Sequence, residues 1–252
     1  NGFIQNEIII TIRKKELIMP KISVLIPAYI NNKKELKLLI YNLNQIKLQK
    51  MKDFEVIISD DSPSNIVEKY VKNIKDIDIK YIKNSGKKGI GGNTNNAMLH
   101  ASGDLFHILY QDDYFFSENS LDTIVENFDY NAKWMVSAYF HTKNRNEFFN
   151  LHIPSWNNEI YIRNTIGTAS CLTILNEDII LFDENLKWFV DCEYYYRLYK
   201  KWGLPKILED IIFIQYLWEG QATNTITEDI VKYEIEYMRI MHGDQTYGSE
   251  II

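Results

Sequence analysis

Two pairs of adjacent aspartates are the residues of this chain best suited to chemistry. Asp60 and Asp61 end the run FEVIISDD, and Asp112 and Asp113 lie in YQDDYFF, directly after the apolar run LFHILY. Adjacent carboxylates repel one another unless a cation or a hydrogen-bond donor lies among them, and hard divalent cations prefer oxygen ligands. Alternatively, each aspartate only caps a turn or a helix, as aspartate often does after a strand. On the pairs alone, both interpretations stay open.

The segments before these pairs are predicted to be interior strands of a parallel sheet. They are continuously apolar and rich in β-branched residues, as strands buried on both faces are: KISVLIPAY (21–29), FEVIISDDS (54–62) and LFHILY (105–110), with IKYIK (79–83) as a further strand. Apolar residues at helical spacing lie between them in KKELKLLIYNLNQI, NIVEKYVKNI and GNTNNAMLHA. This alternation predicts a doubly wound α/β sheet, whose ligands bind at the carboxyl ends of the strands. The acidic pairs are therefore expected to converge on one crevice.

The second half is predicted to continue with mixed elements. SENSLDTIVENF, CEYYYRLYKKWG (192–203) and TEDIVKYEIEYMRIMHG (227–243) predict helices, and WMVSAYF (134–140), ASCLTIL (169–175) and IIFIQYLW (211–218) predict strands. No linker interrupts the pattern, so we expect one domain over 19–252, with a nucleotide half (about 19–115), an acceptor half (about 116–225) and a C-terminal helix (about 226–243). Residues 1–18 are expected to be an N-terminal extension, either an extra strand or residues foreign to the natural chain.

Composition excludes several classes of protein. A net charge of −6 over 252 residues argues against nucleic acid as a partner. Two cysteines cannot form a disulfide framework in a chain of this size, which favours a reducing cytoplasm. The sequence has neither the run of about 18 to 20 apolar residues that a membrane-spanning helix needs nor the residue order of a secretory signal. We therefore predict a cytoplasmic protein, with peripheral contact at the cytoplasmic face of the inner membrane left open and no oligomeric state implied.

The order of the motifs resembles glycosyltransferase family 2, whose members are inverting enzymes of GT-A fold that use nucleotide-sugar donors. The likeness extends from Lys21 to about Thr223 and rests on KISVLIPAY, DFEVIISDDS, NSGKKGIGGNTNNAMLHASGDLFHILYQDDYF, WFVDCEYYYRLYKKWG and YLWEGQATN. It implies a doubly wound, mostly parallel sheet flanked by helices, with a smaller sheet on the acceptor side. It also implies a UDP-sugar as donor and Mn²⁺ or Mg²⁺ as cofactor.

The resemblance assigns roles to individual donor-side residues. Asp61 would accept a hydrogen bond from uracil N3, Asp112 would contact the ribose, and Asp113 would bind the metal ion. The full set of implied donor-binding residues is Pro27, Ala28, Tyr29, Asp61, Asn95 and Asp112. Thr94 lies where many relatives have an arginine, so Lys87 or Lys88 is expected to supply that positive charge.

The resemblance also points to the catalytic and acceptor residues. Asp191, six residues before Arg197, is the implied catalytic base, and Glu193 falls on the second acidic position of that motif; Val190 replaces the glutamate expected before the base. Trp218 lies where relatives often have a metal-binding histidine. The implied loop and acceptor residues are Glu193, Trp156, Trp218 and Gln221. The alternative for any of the tryptophans is a place in the hydrophobic core.

The function implied is transfer of a hexose or N-acetylhexosamine from a UDP-sugar to a saccharide acceptor. Many relatives use lipid-linked acceptors to build bacterial surface polysaccharides, such as O-antigen or capsule. Two alternatives remain at this point: a catalytically inactive relative that only binds nucleotide sugars, and a nucleotidyltransferase, which has a similar sheet and acidic metal site. A phosphorylated receiver-like module is about half this length, which argues against it.

Overall fold

The computed structural model describes residues 22–242 of the chain. The predicted extension 1–18 and the last residue of the predicted closing helix, Gly243, lie outside the described residues. In the first half, strands and helices alternate as predicted: β1 Ile22–Ala28, α1 Lys33–Lys47, β2 Phe54–Asp60, α2 Ile66–Val71, β3 Ile79–Lys83, α3 Ile90–His100 and β4 Leu105–Ile108.

The second half contains shorter and more irregular elements. They are β5 Tyr114–Phe115, α4 Ser120–Asn127, β6 Trp134–Thr142, β7 Phe149–His152, β8 Leu172–Leu175, α5 Val190–Trp202, β9 Lys206–Tyr216 and α6 Glu228–His242, with short 3₁₀ helices at Ala169–Cys171 and Ala222–Thr225. β5 and β7, of two and four residues, are too short for a pattern of alternation and were not predicted. The predicted strand 169–175 begins as a 3₁₀ helix, and β9 ends before Trp218, which therefore lies in a loop.

All nine strands of the described region belong to one sheet, in the order β3-β2-β1-β4-β8-β6-β9-β5, with β7 paired to β6. The four strands of the first half are parallel. β8 joins β4 antiparallel, and β6 then pairs antiparallel with β8 and parallel with β9. The predicted α/β class, with a parallel first half, is confirmed. The acceptor-side strands, expected as a smaller sheet, continue the same sheet beyond β4.

Local sequence explains how the site-bearing elements form. Every residue of β1 and β2 is buried, as their uninterrupted apolar runs require. Helix α1 begins after Asn32, whose side chain accepts hydrogen bonds from the backbone N–H groups of Lys34 and Glu35. Helix α5 ends at Gly203, which has a positive φ of 84° that favours glycine.

One hydrophobic core extends through both halves of the sheet. It includes Leu25 and Ile58 on the first-half strands and Trp134, Tyr195 and Met238 in the second half. Trp134 is fully buried, and its ring stacks on Tyr195 at a centroid distance of 6.2 Å. Because this packing ties α5 to the sheet, the residues at the start of α5 have a fixed position relative to the ends of the parallel strands.

Candidate active site

A cleft of about 1200 Å³ opens at the carboxyl ends of β1, β2 and β4 and extends to the start of α5. This is larger than the roughly 300–1000 Å³ that holds a single small ligand, so the cleft has room for two substrates. Of the predicted site residues, eight line it: Pro27, Tyr29, Asp61, Asp112, Asp113, Asp191, Trp218 and Gln221. Carboxylates that are far apart in the sequence therefore meet in one cleft, as the strand pattern predicted.

The first acidic pair divides into a structural residue and a cleft residue. Asp60 is fully buried, and its carboxylate accepts hydrogen bonds from the Tyr81 hydroxyl at 2.8 Å, from the Lys83 ammonium at 3.1 Å and from the backbone N–H of Ser62 at 2.7 Å. The capping interpretation fits this residue. Asp61, the next residue along, lines the cleft instead.

Asp61 is oriented by three hydrogen-bond donors. Its Oδ1 accepts from Asn84 Nδ2 at 2.8 Å and from Lys88 Nζ at 3.1 Å, and its Oδ2 accepts from the backbone N–H of Gly89 at 2.9 Å. Gly89 precedes α3 with a φ of 108°, which favours glycine. Lys88 therefore places a positive charge in the cleft, as expected from the absence of the arginine.

The floor of the cleft joins the loops after β1 and β4. The side chain of Gln111 accepts from the backbone N–H of Tyr29 at 2.7 Å and donates to the Tyr29 carbonyl at 3.0 Å. Ala28 is fully buried, so it contributes its backbone: its carbonyl accepts from Asp61 N–H at 2.8 Å and from Asn93 Nδ2 at 3.0 Å. Sequence reasoning missed Gln111 and Asn93, which both line the cleft.

Asn95 was predicted to bind the donor, but the structure does not bring it to the cleft. Its side chain is buried, donates to the Phe182 carbonyl and to Glu184 at 3.0 Å each, and accepts from the Phe182 N–H at 2.7 Å. Asn95 therefore fastens α3 to the segment that leads into α5. Asn93, two residues earlier and so on a different face of the helix, lines the cleft instead.

The second acidic pair also divides by environment. Asp113 is only 2% exposed; its Oδ2 accepts from the Ser170 hydroxyl at 2.6 Å and its Oδ1 from the backbone N–H of Tyr216 at 3.2 Å. Asp112 is less enclosed, and its Oδ2 accepts from Trp218 Nε1 at 2.8 Å. Both aspartates line the cleft, and the metal-binding role expected for Asp113 stays a prediction.

Asp191 lies in the first turn of α5 and lines the cleft, and two hydrogen bonds hold its carboxylate in place. Its Oδ1 accepts from the Tyr110 hydroxyl at 2.9 Å, and its Oδ2 accepts from the backbone N–H of Ala169 at 3.1 Å. The backbone N–H of Tyr110 in turn donates to the Ser170 hydroxyl at 3.0 Å. Tyr110 is the first residue of the motif YQDDYFF. Its contact with Asp191 could not be predicted, because the two residues are 81 positions apart and no local pattern in the sequence marks such a contact.

The electrostatics of these groups suit proton transfer. Burial raises the pKa of Asp191 to about 6, although the hydrogen bonds from Tyr110 and Ala169 oppose the rise. Burial raises the pKa of Asp112 and Asp113 as well, and the charge of Asp112 adds to the rise at Asp113. Burial and then the charge of Asp191 raise the pKa of Tyr110 well above its usual value, so its hydroxyl stays protonated and donates.

Two further predicted residues lie away from the cleft. Glu193 is 2% exposed and forms a bidentate ion pair with Arg197, with N–O distances of 2.5 and 2.7 Å. Trp156 packs its ring on Tyr199 at 4.4 Å, so the core alternative holds for it. The sequence does not show whether a side chain in a helix or an irregular loop faces the cleft or the core, because successive residues there point to different sides.

The loop after β9 covers Asp112. Besides the bond from its Nε1, Trp218 donates a hydrogen bond from its backbone N–H to the side-chain oxygen of Gln221 at 3.3 Å. A Cβ atom on Gly220 would lie 2.1 Å from the Trp218 ring, so only glycine fits there. Lys34 of α1 forms an ion pair of 2.6 Å with Glu219. These contacts hold the loop against α1 and the strand ends.

A metal site made of protein groups alone is absent from residues 22–242: no three His, Cys, Asp or Glu side chains converge there to hold an ion. Any cation at Asp112 would need oxygen atoms from a substrate and from water to complete its coordination, as Mg²⁺ commonly does. Within the same residues, no helix has the length and apolar character to cross a membrane.

The fold and the cleft together define a protein of the GT-A class, with acidic residues at the ends of parallel strands and an acidic helix start opposite. Residues 23–174 match the family described as Glycosyl transferase family 2. This match covers more than half of the chain, and the chain belongs to this family.

Comparisons with individual proteins agree with this family. The chain is 39% identical over 111 residues, 43% of its length and 34% of the relative's, to the GalNAc(5)-diNAcBac-PP-undecaprenol beta-1,3-glucosyltransferase of Campylobacter jejuni. Among solved structures it is similar to residues 1–349 of S. aureus TarS in complex with UDP-GlcNAc, with a TM-score of 0.63 and 18% identity, over 88% of this chain and 65% of that one.

A third similar structure is the mannosyltransferase PcManGT from Pyrobaculum calidifontis, in complex with GDP-Man and Mn²⁺. The TM-score is 0.59 at 15% identity, covering 82% of this chain and 59% of the other. At such identities the likeness shows the fold alone. The chain spans about one third of the length of the C. jejuni relative.

Proposed function

We propose that this protein is an inverting glycosyltransferase that moves a hexose or N-acetylhexosamine from a UDP-sugar to a saccharide acceptor carried on a lipid. The observation that carries the proposal is the meeting of Asp61, Asp112 and Asp191 around one cleft with room for two substrates. The similar structures bind UDP-GlcNAc and GDP-Man, and the C. jejuni relative is named for an undecaprenol-linked substrate. Synthesis of a bacterial surface polysaccharide at the cytoplasmic face of the inner membrane is the setting that fits these relatives.

Donor binding is assigned to the ends of β1, β2 and β4. Asp61, oriented by Asn84, Lys88 and Gly89, is placed to accept from the uracil N3. Tyr29, joined to Gln111, forms the adjacent wall. An ionised carboxylate only accepts hydrogen bonds, so Asp61 matches the N3–H donor of uracil and not the N3 acceptor of cytosine.

We assign the metal ion to Asp112 together with the donor diphosphate. The fit rests on the charge of the site: burial raises the pKa of both carboxylates, the charge of Asp112 adds to the rise at Asp113, and a cation would remove that repulsion. Asp113 would support the site by accepting hydrogen bonds from the Ser170 hydroxyl and the backbone N–H of Tyr216, which fix its position beside Asp112. When bound, Mn²⁺ or Mg²⁺ would act as a Lewis acid that stabilises the negative charge developing on the leaving UDP.

Asp191 is the proposed general base. Its carboxylate, held by Tyr110 and Ala169, takes the proton of the acceptor hydroxyl as that oxygen attacks the anomeric carbon. The new bond joins the anomeric carbon to the acceptor oxygen, the bond to the β-phosphate oxygen breaks, and UDP leaves with the electron pair. A pKa of about 6 keeps Asp191 ionised at neutral pH while leaving it basic enough to accept the proton.

The test is transfer from a panel of UDP-sugars to a polyprenyl-diphosphate-linked saccharide, with and without Mn²⁺. Wild type should release UDP and extend the acceptor, whereas Asp191→Asn should lose about 10²–10⁴-fold in rate and still bind UDP. Tyr233→Phe, on the exposed side of α6, is the matched control and should transfer at the wild-type rate. Binding of UDP without turnover on any acceptor would show an inactive relative instead.

A further inference from the structure

A further buried carboxylate lies outside the cleft, on the closing helix α6. Glu234 of α6 is 1% exposed. Its Oε1 accepts from the backbone N–H of Lys187 at 2.6 Å, and its Oε2 accepts from the backbone N–H groups of Trp188 at 2.9 Å and Phe189 at 3.0 Å. One side chain thus binds three consecutive amides of a segment 45 to 47 residues away in the sequence.

The donors to Glu234 are backbone amides, not lysine or arginine side chains. A buried carboxylate without such partners would be costly, so the three N–H groups offset its desolvation. Phe189 directly precedes α5, and the amides at the start of a helix carry partial positive charge. The carboxylate therefore both satisfies these N–H groups and fixes where α5 begins.

This segment leads directly into the catalytic aspartate. Asp191 is two residues beyond Phe189, and Trp188, Phe189 and Asp191 all line the cleft. The contacts of Asp191 with Tyr110 and Ala169 hold its carboxylate from the cleft side, but its backbone position depends on the segment before it. A shift of about 1 Å in a reacting group can cost about 100-fold in rate.

We propose that Glu234 is a positioning residue that holds segment 187–189 and thereby places Asp191 for proton transfer. This inference rests on the proposed function, because it gives Asp191 the role of base. It makes α6 part of the active-site support, although α6 contributes no side chain to the cleft in the residues described.

Other contacts of α6 reach the same region without touching those amides. The Tyr237 hydroxyl donates to Asp183 at 2.7 Å, and His242 lies 3.2 Å from Glu193. Tyr237→Phe removes a contact of the same helix with the neighbouring segment and leaves the Glu234 hydrogen bonds intact. It is therefore the matched control for a variant at Glu234.

The first measurement is amide hydrogen exchange on the full chain, which needs no activity. Glu234→Gln keeps the size of the side chain but replaces one acceptor oxygen by an NH₂ group that faces backbone donors. Exchange in peptides covering 187–193 should become at least about tenfold faster, while peptides from β1 and β2 should stay within about twofold. Tyr237→Phe should leave 187–193 within about twofold of wild type.

The second measurement is steady-state transfer. Glu234→Gln should lower kcat at least about tenfold and change the donor KM less than about threefold, because Asp61 and Tyr29 are held by hydrogen bonds from other segments. A purely structural role would give uniformly faster exchange, or a loss of active protein with unchanged kcat per folded molecule; either result overturns the proposal, as does unchanged exchange at 187–193. If wild type transfers no sugar at all, the proposed function fails, while the exchange result still decides whether Glu234 holds the segment.

Discussion

At the scale of single residues, Asp191 combines two properties that oppose each other. Its burial makes it a good base near neutral pH, since burial raises its pKa from 3.8 to about 6. The same burial means that the ionised form is less favourable in the folded protein than in the unfolded chain. A residue tuned for proton transfer in this way lowers the stability of the fold that holds it.

This opposition predicts a pH-dependent gain in stability for Asp191→Asn. As pH rises from about 4 to 6, the unfolded chain releases the Asp191 proton before the folded protein does, so the stability of wild type falls over that range. At about 1.4 kcal/mol per unit of pKa, the loss is up to about 3 kcal/mol. Asp191→Asn has no such loss, so its free energy of unfolding should exceed that of wild type by more at pH 7 than at pH 4.5.

Urea unfolding at the two pH values measures the difference. Asp53→Asn, at an exposed position, is the control and should show the same difference from wild type at both. An Asp191→Asn variant whose difference from wild type does not change with pH would contradict a raised pKa at this residue.

The two aspartates of YQDDYFF should respond differently to truncation. Asp112→Ala removes the proposed metal ligand, so Mn²⁺-dependent binding of UDP should weaken at least about tenfold while the fold remains stable. Asp113→Ala leaves the Ser170 hydroxyl and the Tyr216 N–H without an acceptor, which should lower the free energy of unfolding by about 1–3 kcal/mol.

Titration calorimetry with UDP and Mn²⁺, beside thermal unfolding, separates the two roles. The prediction from sequence, with the metal on Asp113, is right instead if Asp113→Ala is as stable as wild type and binds UDP without responding to Mn²⁺.

At the scale of elements, the loop 217–221 after β9 is the part of the site that must adapt to the donor. In the structure, Trp218 Nε1 donates to the carboxylate oxygen of Asp112, an acceptor that a cation would also use. The loop is held to α1 by Lys34, but the Lys34–Glu219 pair is largely exposed and therefore weak. The ion pair therefore adds little to the contacts that hold the loop on Asp112, of which the Trp218 hydrogen bond is the direct one.

Trp218→Phe tests this competition. Phenylalanine keeps an aromatic ring beside Gly220 but lacks the N–H group, so Asp112 is released and the affinity for Mn²⁺ in the presence of UDP should rise about two- to tenfold. Trp202→Phe, at the distant end of α5, is the matched control and should leave the affinity unchanged. An affinity that falls in Trp218→Phe would mean that the indole helps to hold the donor.

At the scale of the whole molecule, the elements of the first half could be predicted because each strand and helix carries its own pattern. The apolar runs before Asp61 and Asp112 place both residues at strand ends, and a parallel sheet brings those ends together. The order β8-β6-β9 could not be predicted in this way, since its pairings join strands far apart in the sequence. β7 and the two-residue β5 gain their stability from these neighbours.

The candidate site was predictable to the same extent. The resemblance located the acidic positions in the sequence, but it did not show which side chains face the cleft. Asn95 and Glu193 form hydrogen bonds that join elements to one another, whereas Asn93 and Tyr110 line the cleft. That distinction depends on helix rotation and on contacts such as Tyr110–Asp191, which join residues 81 positions apart. A residue whose role depends only on tertiary contacts leaves no local pattern in the sequence.

The unbroken sheet also bears on how such enzymes diversify. Because β4 and β8 are hydrogen-bonded in register, the nucleotide-side and acceptor-side strands form one rigid platform, without a hinge between them. Segment 153–168 stands outside that platform and supplies Ile162, Asn164, Gly167 and Thr168 to the cleft wall. On the proposed function, we expect chimeras that exchange only this segment between homologues to change which glycan is extended and to leave the choice of nucleotide unchanged.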